Sequence, residues 1–216
     1  LPKGGPRGNI VGRIELAYSM DPRTTDYVTA QLRARNHTVQ THRNVDTDAA
    51  FSVALWAHLI GSTVERSEIR FAGSDDKVNL GTVGLDISGG FKGRETSCFE
   101  QLSSYLPDEE RTALRGLVEH VTLQDRGKLR QLPDHLNVAI LARQISVQKI
   151  VGHSDLEICQ WASDYLKAIL SQEINAIRAQ GVIDSAPRYG LNGNIILLED
   201  AGRAAGFLAC QRRDID

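Results

Sequence analysis

Thr41-His42-Arg43-Asn44-Val45-Asp46-Thr47-Asp48-Ala49-Ala50-Phe51 packs an imidazole, an amide and two carboxylates between two apolar segments. Its reading decides the fold. Upstream, residues 37–41 carry the β-branched content of a short strand; downstream, residues 49–60 are almost unbroken apolar and close at Gly61, as a buried helix with a glycine cap does. The stretch is therefore a strand-to-helix turn, and in an open α/β sheet such turns lie at the carboxyl end of the strands, where ligands bind. His42, Asp46 and Asp48 can converge there on a cation such as Mn²⁺ or Mg²⁺. Asp46 or Asp48 equally suits the N-cap of the helix, and His42 a strand-end residue bonded to backbone. One cap needs one Asp, however, and neither a His four residues earlier nor the Asn44 between.

At 216 residues the chain has room for one sizeable domain with a small appendage. A hydrophobic content of 41% with 24% charged residues is that of an ordinary globular protein, and the net charge of −2 argues against a basic nucleic-acid clamp or a polybasic membrane patch. A small nucleotide or short oligonucleotide remains compatible with it. No run is long and apolar enough for a membrane span, and residues 1–8 lack a signal-peptide core, so the chain reads as cytoplasmic. Cys98, Cys159 and Cys210 are odd in number and far apart, which indicates neither a disulfide framework nor a zinc ribbon.

Taken in order, residues 1–8, rich in glycine and proline, form a flexible N-terminal arm. Residues 10–18 read as a strand, residues 25–34 as a helix ended by Asn36, and residues 68–72 and 81–87 as further strands. An α/β domain over residues 9–130 follows, with a doubly wound, mostly parallel sheet. Asp86 closes an apolar strand just before Ser88-Gly89-Gly90, a turn that lets backbone approach a bound ion or phosphate. Residues 95–105 read as a helix. From Asp108 another helix carries the stripe Leu114, Leu117, Val118 and Val121, and Asp125 continues it at about 100° per residue. A carboxylate on that side needs a counter-charge, unless the helix frays there and Asp125 meets water. His120 lies elsewhere around the helix and reads as a half-exposed surface residue. Residues 131–216 read as a helical C-terminal region packed on the same domain. It has helices over 134–149 and from a capping box at Ser154-Asp155-Leu156-Glu157 to Gln180, then strands at 194–198 and 206–210. The long helix, with Trp161 and Tyr165, offers a face for a homodimer.

If the turns after successive strands meet at one sheet edge, Asp46, Asp48, Asp86 and Asp125 with His42 make a metal site. Carboxylates gathered without cations repel strongly. Two ions about 3.5–4 Å apart clamp a phosphoryl group and activate a bridging water. In that role Asp46, Asp48 and Asp86 are the catalytic residues.

The run His42-Arg43-Asn44-Val45-Asp46-Thr47-Asp48 resembles the first motif of the DHH phosphoesterase superfamily. It is closest in pattern to the His-x-Asn-Pro-Asp-x-Asp of family II inorganic pyrophosphatases, with Val45 at the proline. Gly84-Leu85-Asp86-Ile87-Ser88-Gly89-Gly90 is similar to the second motif, and Asp125 is placed like the Asp of the fourth. The resemblance covers residues 38–127. It implies a doubly wound domain that hydrolyses phosphoester or phosphoanhydride bonds with Mn²⁺ or Mg²⁺, on substrates such as pyrophosphate, short oligonucleotides or cyclic dinucleotides. The Asp-His-His motif that names the superfamily is missing: no histidine lies between His58 and His120, and Phe91-Lys92-Gly93-Arg94-Glu95 stands where it belongs. A second metal would lose a nitrogen ligand. Lys92 and Arg94, with Asn44, are the candidates for holding phosphate, Lys92 and Arg94 by fixed positive charge. A catalytically degenerate nucleotide-binding or protein-interaction module is the alternative.

Overall fold

A computed structural model describes residues 21, 23–73, 76–92, 96–128, 139–189 and 195–196. The expected arm 1–8, the strands 10–18 and 206–210, the boundary at 130/131, Arg94 and Cys210 lie outside the described residues.

Strand β1 (Thr38–His42) lies between β2 (Glu68–Ala72) and β3 (Val83–Gly84) in a small, wholly parallel sheet. Thr38 pairs with Glu68 and His42 with Ala72 on one side; Gln40 pairs with Gly84 on the other. Two more steps of that last register bring Asp86 level with His42. Helix α1 (Thr25–Ala34) precedes β1, capped by the Thr24 hydroxyl, which accepts from the Tyr27 N–H. Arg35 rather than Asn36 takes the left-handed turn that ends it, at φ 51°.

Helix α2 (Thr47–Leu59) makes the crossover from β1 to β2. Every residue from Thr47 to Ala57 is buried, so this helix runs through the core instead of lying on it. Phe51, Leu55 and Trp56 are fully buried, each contributing about 1.5–3 kcal/mol of transfer free energy. The return from β2 to β3, by contrast, carries no helix among its described residues. Instead, side chains of α1, β1 and the loop between them hold it. Gln40 donates to the Lys77 carbonyl and accepts from the Asn79 N–H, Asn36 donates to the Gly81 carbonyl, and the Tyr27 hydroxyl donates to that of Thr82. The protein is thus a mixed α/β fold with a small parallel sheet.

The expected strand over 81–87 is cut to two residues because the chain turns back. Asp86 adopts φ 47°, Gly89 φ 80°, and Phe91 donates its N–H to the Gly84 carbonyl at 2.8 Å. Leu85 and Phe91 form a parallel bridge. A Cβ on Gly90 would stand 2.7 Å from the Gly84 oxygen, and one on Gly84 would stand 2.9 Å from the Gly90 Cα. Only glycines let the two backbones cross this closely.

Helix α3 (Cys98–Ser103) follows, then α4 (Asp108–Ala113) and α5 (Arg115–Asp125). The single helix expected from Asp108 breaks at Leu114, which is fully buried. His120 is buried, not half-exposed. Burial pushes its imidazole down to about 4, so it stays neutral. Beyond come α6 (Ala139–Ile150) and α7 (Asp155–Ser185), then a short antiparallel pair, β4 (Arg188–Tyr189) and β5 (Ile195–Ile196). The capping box forms as read, the Ser154 N–H donating to the Glu157 carboxylate and the Glu157 N–H to the Ser154 hydroxyl. Gly181 does not stop the helix, which continues through it to Ser185.

Contacts divide the chain into one unit of residues up to Leu106 with Gly116–Leu166, and a second of Pro107–Arg115 with Lys167–Asp216. The first holds the sheet. In it the rings of Trp161 and Tyr165 lie 6.2 and 6.0 Å from that of Phe51. They pack against the Phe51 ring while both stay partly exposed. In the second, Arg178 donates twice to the Glu109 carboxylate at 2.8 Å. No helix among the described residues is long and apolar enough to cross a membrane.

Candidate metal centre

Three of the expected ligands meet at the carboxyl edge of the sheet. His42 ends β1, Asp46 caps α2, and Asp86 follows β3, each by its place at the end of a strand or start of a helix. One ligand atom from each lies within 4.8 Å of the other two. His42 Nε2 is 3.2 Å from Asp86 Oδ2 and 3.7 Å from Asp46 Oδ1. The cap and the site are not alternatives: Asp46 Oδ1 also accepts the Ala49 N–H at 3.0 Å.

The tautomer of His42 is set by its other nitrogen. Nδ1 lies 2.9 Å from the Arg43 carbonyl oxygen, which can only accept, so Nδ1 carries a proton. In the neutral ring Nε2 then turns a lone pair toward two carboxylates. That arrangement is stable only with a positive charge between them, either a second proton on the ring or a cation. Without metal the Asp46 and Asp86 carboxylates hold the imidazole protonated, its pKa raised to about 10. Burial raises the Asp46 carboxyl, but His42 and the Ala49 N–H outweigh it and leave the group below its ordinary value. One imidazole nitrogen and two carboxylates are a donor set that could hold a divalent cation, and the contact from Nδ1 to backbone orients the ring as an imidazole ligand needs. The residues fit a divalent ion.

Asp86 is the innermost group, with only 1% of its side chain exposed, and it sits in the left-handed region at φ 47°. A non-glycine residue held there costs about 1 kcal/mol or more, a strain that clusters at functional sites. Its Oδ1 faces the Lys92 ammonium at 2.8 Å. Burial disfavours charge on Lys92, yet Asp86 holds its pKa above the ordinary value.

Asp48 and Asp125 are not in the three-residue group. Asp48 is buried, and its two oxygens accept the N–H groups of Cys98 and Phe99 at 2.8 Å, so it anchors the start of α3. Burial and repulsion from Asp86 push its carboxyl up to about 7. Asp125, exposed at the last residue of α5, is brought near by Gln124, whose amide donates to the Thr47 hydroxyl at 2.6 Å. Burial and the charge of Asp86 raise the Asp125 carboxyl. Asn44 is exposed, at φ 56°.

Sequence reasoning missed what holds the turn. Asp155, at the start of α7, accepts the N–H groups of Asn44 and Val45, both at 3.0 Å, and Lys149 donates to the Asn44 carbonyl at 3.0 Å. The only sign was an acid inside a capping box, a placement with a sufficient local explanation. Also missed was a cleft of about 1010 Å³ beside Lys92, lined by Arg23, Thr24, Ser88, Glu100 and Tyr105 among others.

No protein family, curated protein or solved structure matches this chain. The site therefore rests on its own geometry.

Proposed function

We propose that His42, Asp46 and Asp86 hold a divalent cation, Mn²⁺ or Mg²⁺. On this reading the chain is a metal-dependent phosphohydrolase acting on a phosphodiester or phosphoanhydride of a nucleotide or short oligonucleotide. The observation that carries it is the His42 ring, whose Nε2 faces two carboxylates while Nδ1 is committed to backbone. The motif resemblance supports a divergent DHH-type domain, and the parallel order with β1 inside and a helical β1-to-β2 crossover supports a doubly wound sheet. The buried free thiols of Cys98 and Cys159 suit a reducing compartment such as the cytoplasm.

A bound ion would polarise a phosphoryl oxygen and lower the pKa of a coordinated water. The chain's own residues do the rest. Asp46 and Asp86 fix the site by cap and strand end, Asp48 keeps α3 in place behind it, and Asp125, at the rim, is poised to take a proton from water. Lys92 lies between the carboxylates and the cleft, where a substrate phosphate would enter.

The assay is hydrolysis of a phosphodiester and phosphoanhydride panel with Mn²⁺, alongside Mn²⁺ titration by calorimetry. Activity that survives intact in Asp46→Ala and Asp86→Ala removes the reading. A second reading, a nucleotide-binding or protein-interaction module without turnover, is favoured by one observation: the group contains a single imidazole. Nucleotide binding with no hydrolysis in any divalent metal would select it.

A further inference from the structure

Asp86 divides its two oxygens between different neighbours. Oδ2 faces the pocket shared with His42 and Asp46, and Oδ1 faces the Lys92 ammonium at 2.8 Å. A carboxylate placed to bridge two cations therefore meets a cation seat on one side and a covalently fixed charge on the other. Among the described residues, the other acids near Asp86 do not make a second seat. Asp48 spends both oxygens on backbone N–H groups, and Asp125 lies outside the group of ligand atoms within 4.8 Å of one another. Lys92 itself has 51% of its side chain exposed and lines the cleft, so its ammonium reaches both Asp86 and whatever enters.

We propose that the Lys92 ammonium is the second positive charge of this centre, so that the chain binds one divalent ion, not two, and presents a metal–ammonium pair to a phosphate-class anion. This rests on the metal reading above. It has an opposed pair of consequences. An ammonium this close repels the ion sharing Asp86 and attracts the anion, so its removal tightens the one and weakens the other. A side chain that only braced the turn would not move the two in opposite directions.

The test uses the full chain, with Mn²⁺ alone and then inorganic phosphate added to the Mn²⁺-loaded protein, read by titration calorimetry and native mass spectrometry. The wild type should hold one Mn²⁺. Lys92→Gln should bind Mn²⁺ about tenfold more tightly or better, and phosphate about tenfold more weakly or worse. Lys92→Arg, which keeps the charge, should stay within about threefold of wild type in both. Two ions per wild-type chain, or Lys92→Gln affinities that stay unchanged or move in the same direction, overturn the inference while leaving the metal reading intact. No Mn²⁺ binding by the wild type removes the metal reading, and this inference with it.

Discussion

Two turns at the same edge of the sheet deliver the acids, and they are built in opposite ways. The turn after β3 is self-contained: Gly84 and Gly90 let its two limbs cross, Asp86 sits at its strained corner, and Lys92, six residues on, supplies the counter-charge. The turn after β1 is not. Its peptide N–H groups at Asn44 and Val45 are satisfied from Asp155, 111 and 110 residues away, and its carbonyl at Asn44 from Lys149. One half of the centre is fixed by local chain geometry, the other by tertiary structure. The first should tolerate distant change and fail when its glycines are altered. The second should do the reverse.

The largest effect falls on the group the two turns share. Asp86→Ala removes a ligand and the partner of both His42 and Lys92, and should lower Mn²⁺ affinity at least about a thousandfold, about 4 kcal/mol, by calorimetry. A change of less than tenfold would mean that the two turns do not form one site. Next comes the self-contained turn. Gly90→Ala places a methyl 2.7 Å from a backbone oxygen that cannot yield, so denaturant unfolding should show a loss of about 2–3 kcal/mol. Gly89 has φ 80° but open space around it, so Gly89→Ala should cost less, about 1 kcal/mol.

The contrast also explains what could be read from the chain. Residues 25–34 and 68–72 form as their patterns indicate, and the strand read over 37–41 forms one residue later, over 38–42, because local apolar spacing and β-branched content suffice to specify them. The strand expected over 81–87 shortens because a left-handed Asp86 and two crossing glycines are invisible to a period-2 pattern. His120 is buried because the buried face of α5 runs through Leu117, His120, Val121 and Thr122, turned away from the Val118 side of the expected stripe. At the site, residue type and spacing picked out His42, Asp46 and Asp86. Asp48 has the same type and spacing, and only the position of α3 shows that backbone N–H groups claim it. Asp155 had a local role that hid its distant one.

The distant clamp gives the next prediction. Asp155→Ala leaves the Asn44 and Val45 N–H groups to water, so Mn²⁺ affinity should fall about 10- to 100-fold, as losses behind a ligand shell do. Amide exchange at residues 44–45 should quicken, while the turn after β3 stays protected. Equal quickening in both turns would show that they are not independent.

The dependence on pH sharpens the assignment of the charge between His42 and its two acids. His42 has an ordinary value of 6.5 and is raised to about 10 in the metal-free fold by Asp46 and Asp86. A raised pKa means that the folded state holds the proton more tightly than the unfolded chain. Its stabilising contribution is therefore complete below pH 6.5 and is lost as the pH climbs through about 10. Metal binding runs the other way, since the ion must displace that proton from Nε2. Mn²⁺ affinity should then rise about tenfold per pH unit from neutrality toward 9, with close to one proton released per ion bound. Calorimetry in buffers of different ionisation enthalpy counts that proton directly. A release near zero would mean that the ion does not take the place of the Nε2 proton, and would move the metal off His42 even if Asp86 still binds it.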